Sequence, residues 1–414
     1  MSRSLAYGVA SKLELPQCDE PAEDAGRTPR ADVVDVRRAV VDALQEPYEF
    51  PPLSQAIVEG DRVTIAVDRD VPQAGEIVAA LVEHLGTCGI GSDHITVVYA
   101  DAQSAAAARP QTARQTVPPT SQGAAGRPAI ELHDPTDRGK LCFLGNTKSG
   151  RAIYLNRALG EADLLITLGT GRGRKSWAYR GPFGGIYPTF SDTDTQRRFR
   201  NPRLLDRRHD TFTKSQAEVE SVSWQSGAQF TVQVVPGTGD EVATIVAGEI
   251  NAVQRRINEL HAARHGNQVV RSDVVVAALS GTAAQTWDGV ALALTNVLDA
   301  VADGGSVVLC TDLQQPLGPA LELLARVGDD RDEALAHIAR ERPVDLFAAA
   351  QLADAQCRAR VYLLSKLDPT IVEDLQMIPV GDPTDVGRLA GRAKSCLVVA
   401  DAQHAVLDVA GNEL

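Results

Sequence analysis

Three consecutive segments between residues 61 and 100 constrain the fold more than anything else in the chain. DRVTIAVD (61–68) is an apolar run of the buried-strand type. GEIVAALVEHLGTCG (75–89) has helical periodicity, and HITVVYA (94–100) is strand-like again. Strand, helix and strand in so short a stretch make a β-α-β unit, whose right-handed crossover places the two strands parallel in one sheet. The first strand ends in Val67-Asp68-Arg69-Asp70, at the carboxyl edge where open α/β sheets bind ligands.

The same rhythm organises the rest. A short opening strand, a polar segment rich in Asp, Glu and Pro and a helix from Asp32 to about Leu44 precede the unit. Strands are expected at 140–145, 152–156 and 163–169. A helix around 214–225 leads to FTVQVVPG (230–237) and ATIVAGEI (243–250), which the turn residues Gly237 to Asp240 join as a hairpin. A helix over 250–266 closes on a glycine. Beyond it the alternation resumes: strand 273–281, helix 284–305 closed by Gly304-Gly305, strand 306–313, helices near 318–327, 331–341 and 345–353, strand 360–367, a helix near 370–375, strand 377–382, helix 383–394 and strand 395–407. The expected class is therefore α/β: two open α/β domains with a ligand cleft between them, spanning 1–268 and 269–414. Residues 101–128, rich in Ala, Gln, Thr and Pro, read as a flexible surface insert with one helical turn at 105–109.

Charge narrows the partners. The formal net charge is −13, which disfavours a nucleic-acid ligand, because such binding needs a basic surface to neutralise phosphates. No segment approaches the roughly eighteen apolar residues of a membrane span, and the N-terminus has no signal-peptide core. The six cysteines form no C-x-x-C pair and several lie in apolar strands. They read as reduced, structural thiols, and the expected compartment is the cytoplasm.

Against this acidic background the stretch ADLLITLGTGRGRKSWAYRGPFGGIYPTFS (162–191) stands out. An apolar strand runs into a glycine-rich loop carrying Arg172, Arg174 and Lys175, and Gly184-Gly185 follows. Glycines let backbone N–H groups approach an anion, and clustered cations attract one. Gly171, Gly173, Arg174, Arg180, Gly184 and Gly185 are the candidate ligand-binding residues. The loop is not a Walker A motif, since Arg174 stands where glycine must precede Lys175, and its glycine spacing is not that of a dinucleotide fingerprint. Lys175, Asp68 and Tyr187 are the candidate catalytic residues. His261 and His265 have a ligand-like i, i+4 spacing, but cations at a helix C-terminus explain them, and no metal site is expected. His133 and His209 lie in polar loops without a completing constellation.

These segments carry a family resemblance. PPLSQAIVEGDRVTIAVDRDVP resembles the opening strand and D-x-x-R-P turn of the nickel-dependent lactate racemase family. ELHDPTDRGKLCFLGNTKSGRAIYLNRALGEADLLITLG is similar to the family's longest run, and GPFGG (181–185) sits where the family has G-x-S-G-G. The resemblance extends over roughly 50–310. It implies a two-domain α/β protein with its site in the interdomain cleft, a nickel pincer nucleotide on a lysine, two acid-base histidines and a nickel-binding histidine. The residues depart from that set. Ile186-Tyr187 follow the glycines where the lysine is expected, Gln103 and Ser104 stand near one histidine position and Trp177 at the other. Val71 replaces the arginine of the turn, no histidine lies at Asn201-Pro202, and Ala291 and Leu294 replace a substrate-binding Gln and Lys.

The reading that follows is a lactate-racemase-like protein with a degenerate site that binds a small hydroxy-acid or phosphate-like anion, with no cofactor. Its contacts would be Arg172, Arg174, Lys175 and Arg180. Two alternatives stand beside it: an active 2-hydroxy-acid racemase whose nickel pincer is tethered on Lys175, and a non-catalytic interaction protein using the 101–128 insert and RRFRNPRLLDRRHD (197–210).

Overall fold

The computed structural model describes residues 3–15, 35–108, 126–172, 181–205, 209–263, 269–327 and 331–410. In chain order the strands are β1 (Arg3–Tyr7), β2 (Ser11–Leu15), β3 (Val63–Val67), β4 (Ile95–Tyr99), β5 (Ala129–Leu132), β6 (Leu141–Asn146), β7 (Ala152–Asn156), β8 (Leu164–Thr170), β9 (Phe230–Pro236), β10 (Val242–Glu249), β11 (Ser272–Ala278), β12 (Val301–Cys310), β13 (Arg360–Leu364), β14 (Ile378–Val380) and β15 (Cys396–Val399). Among the described residues they form two open sheets and two small antiparallel pairs, β1-β2 and β6-β7.

The expected β-α-β unit is β3, the helix Ala74–Thr87 and β4. All five residues of β3 are buried, as befits a central parallel strand with both faces covered. The first sheet has the order β10-β9-β8-β3-β4-β5. Its strands are parallel except β10, which pairs antiparallel with β9 as the expected hairpin. The chain moves outward from β3 through β4 to β5, then returns with β8 on the other side of β3. That reversal opens a crevice above the carboxyl ends of β3 and β8. The second sheet, β14-β13-β12-β11-β15, is wholly parallel and repeats the pattern, with β15 returning to the far side of β11. This is the α/β class expected. Each sheet has an apolar cluster on either face, built mostly of Val, Leu, Ile and Ala.

Three details differ from expectation. The opening strand is one arm of a hairpin, and although it begins the chain, it packs on the second sheet. Leu5, Tyr7, Leu13 and Leu15 join Val276, Val308 and Val398 in one cluster, and Gly8 N donates to Leu279 O at 2.7 Å. The helix expected over 284–305 spans Trp287–Val297. From Val301 the chain is already extended and paired with Ser272, because Asp303-Gly304-Gly305 favours an irregular strand start over continued helix. In the insert, the helix Ala102–Ala107 is fixed by a capping box between Asp101 and Ser104, and 109–125 lie outside the described residues. Among the described residues, no helix is long and apolar enough to cross a membrane.

Candidate functional site

Two strand ends converge on one cavity. After β3, Asp68 N donates to Leu168 O at 2.9 Å, and the Asp68 carboxylate accepts from Arg69 N at 2.8 Å. Asp70 then takes a left-handed φ of 56°, a conformation aspartate adopts more readily than most side chains. At the end of β8, Thr170 Oγ1 donates to Asp70 O at 2.9 Å and ties the neighbouring strand ends together. The cavity above them has a volume of about 110 Å³, room for several waters or one small organic anion. Gln196, Phe199 and Arg200 enter from the helix Thr193–Phe199 and its end. Asp288, Leu292 and Phe347 come from the half built on the second sheet, so the cavity lies between the two.

Three guanidiniums meet there, and their surroundings differ. Arg69 is paired with Asp101 at 2.8 Å. Arg172 is held loosely, with Nη2 3.8 Å from Asp70 Oδ2, and its buried Nε has no hydrogen-bond partner among the described residues. Arg200 is bonded through Nη2 to Gln196 Oε1 at 3.3 Å, and no carboxylate pairs with it among the described residues. Burial, together with the positive charges of Arg69 and Arg197, pulls its pKa below the ordinary guanidinium value. Asp70 is shifted the opposite way: burial, reinforced by Asp288 and Asp68, raises it to about 6 despite Arg172 and Arg69.

Gln196 is oriented from behind. Its Nε2 donates to Thr189 O at 2.9 Å and Ser191 O at 3.2 Å, which leaves Oε1 to face Arg200. His133 shares the Ser191 carbonyl through Nε2 at 2.9 Å. A carbonyl only accepts, so the ring proton sits on Nε2, and the buried Nδ1 has no partner among the described residues. Burial lowers this imidazole to about 4.

The structure separates the sequence-derived candidates. Asp68 and Arg172 line the cavity. Gly171 does not supply a free amide: its N–H donates to Val234 O at 2.7 Å and its carbonyl faces His261 Nε2 at 3.0 Å, which also gives His261 a structural task. Gly185 lies beside Asp68, since a Cβ there would stand 3.7 Å from Asp68 Oδ2, and Gly184 O accepts from Thr189 Oγ1. Tyr187 is not a cavity group. Its hydroxyl donates to Glu218 Oε1 at 2.8 Å and accepts from Arg198 Nη2 at 2.7 Å, and burial raises its pKa far above the phenol range. His209 caps the helix Asp210–Gln225. Gly173, Arg174, Lys175 and Arg180 lie outside the described residues, as does Trp177. Sequence reasoning weighed Asp70 together with Asp68 at the end of β3, and the structure places both at the cavity. It did not single out Arg69, Gln196, Arg200 or Asp288: Arg69 lies between the two acids, but Arg200 sat inside a basic run that reads as a solvated surface.

The family model of the lactate racemase N-terminal domain matches residues 15–199. That match covers the N-terminal part of the chain, somewhat less than half of its length. Its fold is similar to that of the lactate racemase apoprotein from Thermoanaerobacterium thermosaccharolyticum, with a TM-score of 0.76 at 15% identity, covering 98% of this chain and 100% of that one. A protein from Thermotoga maritima solved by a structural genomics consortium is similar at a TM-score of 0.63 and 13% identity, over 90% of this chain and 97% of that one. No curated protein matches the chain. Seen against the lactate racemase pattern, the turn after β3 does present an arginine to the cavity, but it is Arg69, two positions before Val71. Ala291 and Leu294 are buried in the core, while their neighbours Asp288 and Leu292 face the cavity.

Proposed function

We propose that this lactate-racemase-like chain binds a small anion of the hydroxy-acid or phosphate-like class in the cavity between its two sheets, and does so without a nickel pincer nucleotide. The observation that carries the reading is Arg200: a half-buried guanidinium without a carboxylate partner among the described residues, beside two more cations. Taking such a charge out of water is costly unless an anion compensates it. Arg172 Nε, buried and without a hydrogen-bond partner among the described residues, supplies an unsatisfied donor at the same cavity. Gln233 and Thr170 add neutral polar groups for a hydroxyl or a further oxygen, and Phe199, Leu292 and Phe347 give the ligand an apolar wall.

The described lining does not fit the family's cofactor. It contains no histidine, cysteine or lysine, and guanidiniums do not ligate metals. Among the described residues, no group of three or more His, Cys, Asp or Glu could hold a metal ion. The positions after Gly184-Gly185 are the buried Ile186 and Tyr187, so a lysine tether is missing there too.

Calorimetric titration with D-lactate, L-lactate and inorganic phosphate tests the proposal. At least one is expected to saturate, with affinity about ten- to a hundredfold weaker in Arg200→Gln, the loss of one charged hydrogen bond. Absence of binding by all three overturns the anion reading. Intact mass and nickel content after production in cells that make the pincer cofactor test the second half, and a stoichiometric adduct on Lys175 would establish the relocated tether instead.

A further inference from the structure

We propose that the anion enters by taking Arg172 away from Asp70, and that the site takes up one proton on Asp70 as it fills; this rests on the anion-binding reading above. The geometry of the pair is the starting point. Arg172 Nη2 stands 3.8 Å from Asp70 Oδ2, too far for a hydrogen bond, and Arg172 Nε has no partner among the described residues. Asp70 cannot simply follow the guanidinium, because its backbone is fixed in the left-handed region and its carbonyl is held by Thr170. Arg172 therefore keeps donor capacity that Asp70 does not satisfy.

Charge counting at the cavity gives the second step. Arg69, Arg172 and Arg200 face Asp68, Asp70 and Asp288, with Asp101 on the far side of Arg69. The groups that set the field at Asp70 are Asp68 and Arg69 on its own loop, Arg172 at the end of β8 and Asp288 on the helix Trp287–Val297. Arg200 joins them across the cavity from the end of the helix Thr193–Phe199. An arriving anion that pairs with Arg172 removes the main cation opposing Asp70 and adds a negative charge beside it. Both changes favour the protonated acid. A proton from solvent then occupies a carboxyl oxygen of Asp70, the acid becomes a donor to the bound anion, and the summed charge of the cavity is unchanged. No other bond forms or breaks. Burial already brings Asp70 to about 6, so this uptake falls near neutral pH.

The test is calorimetry on the full chain at pH 7 in two buffers of different ionisation enthalpy, using lactate or sulfate, which keep one charge state between pH 6 and 8. Uptake approaching one proton is expected, with affinity falling by about tenfold per pH unit on the alkaline side. In Asp70→Asn, binding persists, the uptake disappears and the affinity becomes independent of pH. Binding to the unmodified chain without uptake overturns the inference and leaves the anion site standing. Uptake that persists in Asp70→Asn overturns its assignment to Asp70. Failure of both anions to bind removes both. The buffer comparison on the unmodified chain is decisive even if the variant fails to fold.

Discussion

At the residue scale, the most consequential buried group outside the cavity is His133. It is 5% exposed, its Nε2–H is used on Ser191 O, and burial holds its pKa at about 4, below the ordinary 6.5. A histidine depressed in this way is neutral in the native state but takes up a proton in the unfolded chain as soon as pH falls below about 6.5. Stability is therefore lost as pH drops from that value toward 4. Between about pH 7 and 5 the loss from this one group is about 2 kcal/mol. Urea denaturation at the two pH values checks it: His133→Gln, which can still donate to Ser191, should lose less stability on acidification than the parent. Equal losses would mean that His133 does not carry the effect. Asp70 has the opposite sign, since its raised pKa favours the native state in acid and that contribution fades as pH rises toward 6. Little of this was legible in the sequence. His133 looked like one more loop histidine, and its burial depends on Phe190 and Ser191, more than fifty residues away. Arg172 was visible because its cationic neighbours are adjacent in the chain. Arg69 and Arg200 were not, because only the fold brings them to one cavity.

At the element scale, local pattern carried further. The alternation of 61–100 gave β3, its helix and β4 closely, and the turn at Gly237–Asp240 gave the β9-β10 hairpin. The destination of β1-β2 could not be read, since Leu5, Tyr7, Leu13 and Leu15 define an apolar face without naming the sheet that receives it. A second unreadable contact is the strand-like approach of residues 48–49 to the outer edge of β10, where Tyr48 N donates to Ala247 O and Glu249 N donates to Tyr48 O, both at 2.9 Å. Gly248 makes that approach possible. Its φ is +143°, and a Cβ there would stand 2.3 Å from Tyr48 O and 2.5 Å from Tyr48 N, backbone atoms that cannot step aside. Gly248→Ala should therefore cost about 3 kcal/mol or more in chemical denaturation. Gly227→Ala is the control: its φ is +75° but nothing lies within 4 Å, so only the left-handed strain of about 1–2 kcal/mol remains. Equal costs at the two positions would show that the edge contact does not constrain Gly248.

At the scale of the whole molecule, the cavity is flanked by two sets of contacts between its halves. On one side the β9-β10 turn reaches the second sheet: Thr282 N and Oγ1 donate to the Asp240 carboxylate at 2.7 and 2.8 Å, and Gly239 N donates to the buried Asp401 at 3.0 Å. On the other, Arg197 Nε donates to Glu341 O at 2.9 Å and Arg342 Nη1 to Arg198 O at 3.2 Å, joining the helix Thr193–Phe199 to the end of the helix Arg331–Glu341. The alternating pattern implied two α/β units with a cleft, but not what bridges it, because these contacts join residues 42 to 162 positions apart through turns and helix ends. Asp240, Thr282, Arg197 and Glu341 are exposed, so their bonds add little to global stability, together about 1–2 kcal/mol. Their effect is on the relative placement of Arg172 and Arg200 on one half and Asp288 and Phe347 on the other. The double variant Asp240→Ala, Arg197→Ala should keep the secondary structure and lose only that modest stability. Its radius of gyration in small-angle scattering should rise, and hydrogen exchange at 281–287 should quicken. An unchanged radius and unchanged exchange would show that these contacts do not hold the halves together, and would leave that role to others such as Leu205 against the apolar cluster that contains Phe347.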